Sequence, residues 1–130
     1  MAPHRHDKIC VLLVDDDPDT RAMYAVALSL SDVEVLESGD GATALSAASE
    51  FLPDVIVTDL SGPNLDGFEL LEWLQANPKT ARIRAIVLTG RTDEATALRA
   101  AALRAQFLVK PCLPSTLTSH VFRALTDAAA

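Results

Sequence analysis

The sequence predicts an α/β domain built on a doubly wound parallel sheet. Five short apolar runs are separated by stretches of helical composition or periodicity, so strands and helices alternate along the chain. Strict alternation implies a parallel sheet with helices on both faces. The chain has 130 residues, of which 49% are hydrophobic, and this is enough for a single domain with a sizeable core.

The five predicted strands are short and apolar. The first, Ile9 to Val14, is a continuous apolar run, as expected of a strand that is buried on both faces. The second, Val33 to Ser38, alternates apolar and polar residues, which predicts an edge strand with one face in water. The other three are rich in β-branched and aliphatic residues and read DVIVTD, RAIVLTG and AQFLVK.

Helical stretches fill the spaces between the strands. Asp17 and Pro18 form a start signal for the first helix, because aspartate caps helices and proline suits the first helical position. The second, Gly41 to Phe51, is rich in alanine. Apolar residues at helical spacing predict the core faces of the other four helices. They are Met23, Val26, Ala27 and Leu30 in the first helix and Phe68, Leu71 and Leu74 in the third. In the fourth they are Ala95, Leu98 and Ala102, and in the fifth Leu117, Val121 and Leu125.

Right-handed crossovers leave few topologies for such a chain, and we predict the flavodoxin-like winding with five strands in the order 2-1-3-4-5 and five helices. In this winding all strands end at the same edge, where ligands bind. The polar residues that close the predicted strands are Asp15, Asp16, Asp17, Asp59, Thr89 and Lys110. The topology therefore predicts a pocket with several carboxylates, one hydroxyl and one ammonium.

Several carboxylates in one pocket repel one another. At an effective dielectric constant of about 20, each pair ~4 Å apart costs roughly 4 kcal/mol, which protonation or a bound cation can offset. Oxygen ligands without Cys or His favour Mg²⁺, which commonly bridges carboxylates and phosphate oxygens. A carboxylate can also act as a nucleophile and form an acyl phosphate. Lys110 and Thr89 would then neutralise and hydrogen-bond the phosphoryl oxygens.

Taken singly, each of these residues has an ordinary interpretation as a cap or turn former, and only their combination is specific. That combination resembles the receiver domain of bacterial two-component response regulators, in the segments VLLVDDDPDTR, VIVTDLSGPNLDGFELL, AIVLTG and FLVKP. The resemblance implies a receiver domain over residues 9–126 between tails at 1–8 and 127–130. Such a domain accepts a phosphoryl group from a partner phosphohistidine, with Mg²⁺ as cofactor, and is a signalling module rather than an enzyme with a diffusible product.

The resemblance also implies roles for individual residues. Asp59 matches the phosphoacceptor, and Asp15 and Asp16 match the acidic pair that holds Mg²⁺. Ser61, two residues after the phosphoacceptor, matches the position whose backbone carbonyl is a further metal ligand. The phosphorylated form is expected to alter the face made by helix 4, strand 5 and helix 5.

Two of the implied roles concern switching. Thr89 matches the hydroxyl that moves onto the phosphoryl group, and Phe107 matches the aromatic switch residue. Lys110 matches the lysine of the site and is followed by Pro111, often preceded by a cis bond in this family. The sequence departs from the family at Leu103, which replaces a common glycine, so a left-handed turn there would be strained.

Charge and composition limit the classes of partner that the chain can have. The net charge of −7, without any run of Lys or Arg, argues against direct binding of nucleic acid. No apolar stretch reaches the ~18 residues of a membrane span, and the N-terminus has no signal-peptide core, so a cytoplasmic location is expected. The expected partners are a sensor histidine kinase or histidine phosphotransfer protein and a downstream protein target. A homodimer that forms on phosphorylation is a further option that no residue supports directly.

Three other functions stay open from the residues alone. A degenerate receiver that acts only as a protein-interaction module would lack part of the set Asp16, Asp59, Thr89 and Lys110, which is intact here. A small aspartyl-phosphate phosphatase of the haloacid-dehalogenase type would need a second Asp where this chain has Ser61. A flavodoxin-like cofactor binder would need a glycine-rich phosphate loop after the first strand, where the acidic residues stand.

Overall fold

The computed structural model of the protein describes residues 8–62 and 65–126. The strands are β1 (Ile9–Val14), β2 (Val33–Ser38), β3 (Val55–Thr58), β4 (Arg84–Thr89) and β5 (Gln106–Val109). The helices are α1 (Pro18–Leu30), α2 (Gly41–Phe51), α3 (Gly67–Ala76), α4 (Glu94–Ala102) and α5 (Pro114–Thr126). None of the helices in these two ranges combines the length and apolarity needed to cross a bilayer. Except for Lys8, the predicted tails at 1–8 and 127–130 lie outside the described residues.

The five strands form one parallel sheet in the order β2-β1-β3-β4-β5, so the predicted winding is confirmed. In the middle of the sheet, Val11 of β1 is in register with Val35 of β2 and with Val55 of β3. β2 lies at the edge, and four of its six residues are at least partly exposed, as its alternating pattern predicts. The strand order reverses between β1 and β3, which is where ligands bind in sheets of this kind.

Each face of the sheet carries its own apolar core. In β1, Val11 and Leu13 belong to the core beneath α1 and α5, whereas Leu12 and Val14 belong to the core beneath α2, α3 and α4. All four side chains are buried. Side chains alternate between the two faces of a strand, so a strand covered on both faces must be apolar throughout. This explains the continuous apolar runs in the sequence.

The predicted core face of α1 is wrong. Three of its four side chains are exposed to solvent: Met23 (47%), Val26 (59%) and Leu30 (83%). The helix packs instead through Tyr24, Ala25 and Leu28. The Tyr24 hydroxyl donates a 2.7 Å hydrogen bond to the carbonyl of Cys112 in the loop after β5, which holds this face against the sheet. Both stripes have helical spacing, so periodicity could not distinguish them.

The prediction for α4 is wrong for a related reason. Its predicted stripe is exposed, with Leu98 at 63%, and the buried residues are Thr96 and Ala100. An alanine-rich helix gives little contrast between faces. The core faces of α3 and α5 contain larger side chains and are confirmed, because five of the six residues are buried: Phe68, Leu71, Leu74, Leu117 and Val121.

Four helices begin at an aspartate whose carboxylate accepts a backbone amide hydrogen bond; the caps are Asp17, Asp40, Asp66 and Asp93. At α1, as predicted, Asp17 is the cap, and a 2.6 Å hydrogen bond from the Thr20 hydroxyl is the largest cause of its lowered pKa. A carboxylate at this position also faces the positive end of the helix dipole. Part of the chain's negative charge therefore serves to start helices.

Leucine-to-alanine substitutions on α1 test its orientation. Leu28→Ala removes a fully buried side chain, and we expect the free energy of unfolding to fall by about 3 kcal/mol. Leu30→Ala, two residues further along the same helix, removes an exposed side chain and should change it by less than about 0.5 kcal/mol. Urea unfolding followed by far-ultraviolet circular dichroism measures both. Similar losses for the two variants would contradict the packing of α1.

Candidate functional site

The loop between β1 and α1 holds Asp15 rigidly. The Asp15 amide donates to the carbonyl of Ser38 at 3.1 Å, which continues the parallel pairing of β1 with β2 past the end of the strand. Its carboxylate is buried, and Oδ1 accepts a 2.9 Å hydrogen bond from the Asp17 amide. The Arg21 guanidinium donates to the carbonyl of Asp15 at 2.7 Å and pairs with Glu37 at 3.1 Å. Backbone and side-chain contacts thus fix this carboxylate from three directions.

Asp59 follows β3 at the centre of the same edge. Its amide donates to the carbonyl of Val14 at 3.0 Å, so the pairing of β3 with β1 also extends past the strand. Its Oδ1 accepts a 2.7 Å hydrogen bond from the amide of Leu60, and the amide of Ser61 lies 3.4 Å from the same oxygen. Gly67, the first residue of α3, lies so close that a Cβ there would stand 2.3 Å from the Asp59 carbonyl oxygen.

Lys110 joins the two carboxylates. Its Nζ donates to Asp15 Oδ2 at 2.9 Å and to Asp59 Oδ2 at 3.0 Å. Burial by itself lowers the pKa of the Lys110 ammonium, but the hydrogen bonds that it donates to Asp15 and Asp59 and the attraction of their charges outweigh burial, so that the pKa is raised. The peptide bond between Lys110 and Pro111 is cis. The ammonium therefore stays charged at neutral pH and bridges the ends of β1 and β3.

Asp16 completes a cluster of acidic side chains. It is exposed, and one carboxylate oxygen from each of Asp15, Asp16 and Asp59 lies within 4.8 Å of the others. The donor set is all oxygen, as Mg²⁺ requires. Two ligands of an Mg²⁺ ion with bonds of about 2.1 Å are at most ~4.2 Å apart, so small side-chain movements would bring these oxygens to ligand distances. The residues present fit the metal that the sequence predicts.

Thr89 and Phe107, the two predicted switch residues, lie on the neighbouring strands β4 and β5. Thr89 is buried at the end of β4, and its hydroxyl accepts a 3.1 Å hydrogen bond from the Arg91 amide. The carbonyl of Thr89 accepts a 2.8 Å hydrogen bond from the Lys110 amide, which places the two predicted site residues on adjacent strand ends. Phe107 is half-buried and packs against the core beneath α2, α3 and α4.

The strained turn after α4 falls one residue later than the sequence suggests. Leu103, where a left-handed turn would be strained, has a φ of −91°. Arg104 has the positive φ, at 59°. The helix continues far enough for the Leu103 amide to donate to the carbonyls of Arg99 and Ala100, which moves the left-handed position to the next residue.

Two further residues shape the site, and sequence reasoning missed one of them, Arg21. Arg21 supports the backbone of Asp15, and Gly67 allows α3 to begin against the backbone of Asp59. A signal existed for Gly67, because a glycine directly after Asp66 at a predicted helix start is unusual unless the backbone is crowded. Pro63, which we expected to help turn the same loop, lies outside the described residues.

A family model for the response regulator receiver domain matches residues 11–122 of the chain. An uncharacterised 14.6 kDa protein of Leptolyngbya boryana is 38% identical over 110 residues, which cover 82% of each chain. The "Probable chemotaxis protein CheY" of Rhizobium etli is 34% identical, with 81% of this chain and 83% of that protein covered. The transcriptional regulatory protein PrrA of Mycobacterium tuberculosis is 37% identical over 85% of this chain, but the alignment covers only 47% of PrrA.

Solved structures show the same similarity. The chemotaxis response regulator CheY4 of Vibrio cholerae is 30% identical, with a TM-score of 0.84 over 90% of this chain and 98% of that chain. A response regulator from Desulfuromonas acetoxidans is 27% identical, with a TM-score of 0.82 over 91% and 97% of the two chains. A receiver domain protein of Methanospirillum hungatei, at 20% identity and a TM-score of 0.87, shows the likeness of the fold alone.

Substitution of the two neighbouring acids tests the charge balance. If repulsion alone acted, neutralising either Asp15 or Asp16 would stabilise the metal-free protein. The two residues differ, however, because Asp15 is paired with Lys110, whereas Asp16 makes no hydrogen bond or ion pair among the described residues. We therefore expect Asp16→Asn to raise the melting temperature in EDTA. Asp15→Asn should lower it, by the equivalent of about 1–2 kcal/mol, because it removes a charge-assisted hydrogen bond.

Added Mg²⁺ gives the second half of this test. At ten times its dissociation constant, a ligand of the folded state stabilises by ~1.4 kcal/mol, and we expect that gain for the natural sequence and a smaller one for both variants. Differential scanning fluorimetry with and without Mg²⁺ measures all three proteins. The metal site would be refuted by Mg²⁺-induced shifts of equal size in the three.

Proposed function

The chain belongs to the family of response regulator receiver domains of two-component systems, and from this premise we propose that it is a signalling module that accepts a phosphoryl group on Asp59. One observation carries the assignment. A single ammonium, that of Lys110, bridges Asp59 and Asp15 at 3.0 and 2.9 Å beside a third carboxylate. This arrangement offers a nucleophile, a cation for the transferred group and a place for a divalent metal.

The reaction follows from the roles of these groups. A carboxylate oxygen of Asp59 forms a bond to phosphorus, the bond between phosphorus and the partner's imidazole nitrogen breaks, and that nitrogen keeps the electron pair. Mg²⁺ held by Asp15, Asp16, Asp59 and the carbonyl of Ser61 would neutralise the negative charge that collects around the transferred group. Lys110 then donates to a phosphoryl oxygen in place of one carboxylate. Rigid placement of Asp59 by the sheet supplies positioning, a large part of phosphoryl-transfer catalysis.

The proposed response begins at Thr89. Its hydroxyl loses the hydrogen bond that it accepts from the Arg91 amide and donates instead to a phosphoryl oxygen. This new contact draws the loop after β4 inward. Phe107, already half-buried near α4, turns into the vacated space. These movements bias a two-state equilibrium, because phosphorylation stabilises only the state in which the new contacts form. The surface formed by α4, β5 and α5 is the proposed output face.

A docking surface for the phosphohistidine partner adjoins the site. Met23, Val26 and Leu30 are exposed and share one face of α1, a helix that begins at Pro18, two residues after Asp16. Exposed apolar stripes of this kind are typical of protein interfaces. We include in the proposal that this surface, here called the α1 stripe, contacts the sensor histidine kinase or histidine phosphotransfer protein that supplies the phosphoryl group.

The rest of the pathway belongs to the proposal as well. A downstream protein target would read the output face, the phosphorylated form would hydrolyse its own acyl phosphate, and the module would act in the cytoplasm with these partners. PrrA, named as a transcriptional regulator, is about twice as long as the matched region. The target of this chain is therefore to be identified by experiment.

Asp59→Asn tests the phosphoacceptor. We expect the natural sequence to gain one phosphoryl group from phosphoramidate in the presence of Mg²⁺ and the variant to gain none, because an amide lacks the nucleophilic oxygen. Intact-protein mass spectrometry measures the gain. Asp32→Asn, a matched change of an exposed carboxylate at the start of β2, should be labelled normally. Labelling of Asp59→Asn to the natural extent would reject the assignment.

Val26→Asp tests the α1 stripe separately from the chemistry. Val26 is 59% exposed, so the change should leave the fold and the labelling by phosphoramidate intact. We expect transfer from a phosphorylated histidine kinase, found by screening candidate kinases, to slow at least about tenfold, as for an interface residue worth ~1.4 kcal/mol. Leu98→Asp, on the exposed side of α4, is the control. Equal slowing by both variants would remove the α1 stripe from the proposal.

A further inference from the structure

A basic groove lies at the end of the sheet opposite the acidic cluster. It has a volume of about 770 Å³ and lies among the ends of α3 and α4, the starts of β4 and β5, and α5. Its walls carry Arg82, Arg84 and Arg104 with Gln75 and Gln106, and no acidic residue of the described chain lines it. Three arginines line this one cavity, although the net charge of the chain is −7. We call it the arginine groove.

The guanidinium groups of the arginine groove are available to a ligand. Within residues 8–62 and 65–126, no ion pair involves any of the three. The Arg84 guanidinium donates a hydrogen bond to the carbonyl of Arg82, which uses one of its five N–H donors. Arg21, by contrast, is engaged by both Glu37 and a backbone carbonyl. Unpaired donors in a concave site favour an anion there.

Arg104 occupies a position that suits glycine. Its φ is 59°, and its amide donates to the carbonyl of Ala101 at 2.9 Å while the next amide donates to Ala100, as in the left-handed turns that end helices. A side chain in this conformation is strained. The Gln75 side chain donates to the carbonyl of Leu103 and braces this turn against α3. Asp32 and Leu52 have a positive φ after α1 and α2 as well, so this turn is a way in which helices of this chain end, and at α4 it places Arg104 in the wall of the groove.

A structural role for these arginines accounts for only part of this arrangement. Cations near the ends of α3 and α4 interact favourably with the helix dipoles. That interaction does not require three arginines around one cavity, since a cation in the last helical turn would serve equally well. Arg99, in the last turn of α4, is already in that position.

The chemistry of the walls defines the ligand. Guanidinium groups bind phosphate and carboxylate groups through paired hydrogen bonds, and three of them match an anion with several charges. The volume lies within the range of about 300–1,000 Å³ of small-molecule sites. No aromatic residue lines the groove to stack on a base. We propose that the arginine groove binds a small anion with two or more linked phosphate groups, either an inorganic polyphosphate or the phosphate chain of a nucleotide.

Calorimetric titration of the full chain with sodium triphosphate tests this site. The buffer is freed of metal with a chelating resin, so that the acidic cluster cannot bind the probe through a cation. Salt near 0.15 M limits the reach of general electrostatics to ~8 Å. We expect saturable binding of one triphosphate per chain. Absence of saturable binding overturns the proposal.

Substitutions locate the binding. Arg82→Gln and Arg104→Gln should each weaken binding about tenfold through loss of charge-assisted hydrogen bonds. Lys8→Gln removes the same charge outside the groove, at a lysine paired with Asp32, and should change affinity less than about twofold, since only screened charge is lost. Arg104→Gly also removes the backbone strain, so a thermal melt should show a fold at least as stable while binding weakens about tenfold, as for Arg104→Gln. Equal weakening by Lys8→Gln and Arg104→Gln overturns the proposal.

Two further probes identify the ligand. Equal affinity for triphosphate and adenosine triphosphate indicates recognition of the phosphate chain alone, and tighter binding of the nucleotide indicates added contacts to the nucleoside; both support the site. A hexaglutamate peptide that binds more tightly than triphosphate would make the groove a docking site for an acidic protein segment and overturn the proposal.

Discussion

The ammonium of Lys110, held between Asp15 and Asp59, is the contact on which the site depends. The two carboxylates follow adjacent strands, and the backbone pairing of those strands continues through both residues, so their separation is set by the sheet. Lys110 directly follows β5, and its positive charge balances one of the three negative charges of the acidic cluster. The remaining two negative charges, to which the exposed carboxylate of Asp16 contributes, are what a divalent cation would relieve. One ammonium, through two ion pairs, thus stabilises the metal-free protein without balancing all of its carboxylates.

Parallel strands also give the molecule two chemically different ends. Every helix that follows a strand begins at the carboxyl edge of the sheet, so the positive ends of the helix dipoles gather there. Four aspartate caps and the acidic cluster lie at this edge. The helices end at the opposite edge, where the dipoles favour cations, and the arginine groove lies there. The distribution of charge follows from the topology.

The sequence predicts those parts of the structure in which composition contrasts strongly with its surroundings. Strand runs buried on both faces, the strand order and the convergence of Asp15, Asp16, Asp59 and Lys110 at one edge all follow from pattern and topology. The inward face of α1 could not be predicted, because Tyr24 and Leu28 compete with an equally periodic stripe and a distant hydrogen bond to the loop after β5 decides between them. The arginine groove was also invisible, since its residues are scattered from Gln75 to Ala124.

The two ends of the sheet can carry opposite charge without cancelling each other. Arg84 begins β4 and Thr89 ends it, and at ~3.3 Å per residue these positions are roughly 17 Å apart. That is about twice the distance over which exposed charges interact at physiological salt, ~8 Å. The arginines therefore do little to neutralise the carboxylates, and the carboxylates do little to fill the groove. Five of the six residues of β4 between these positions are buried, and the strand is paired on both sides, so apolar core separates the two charged ends.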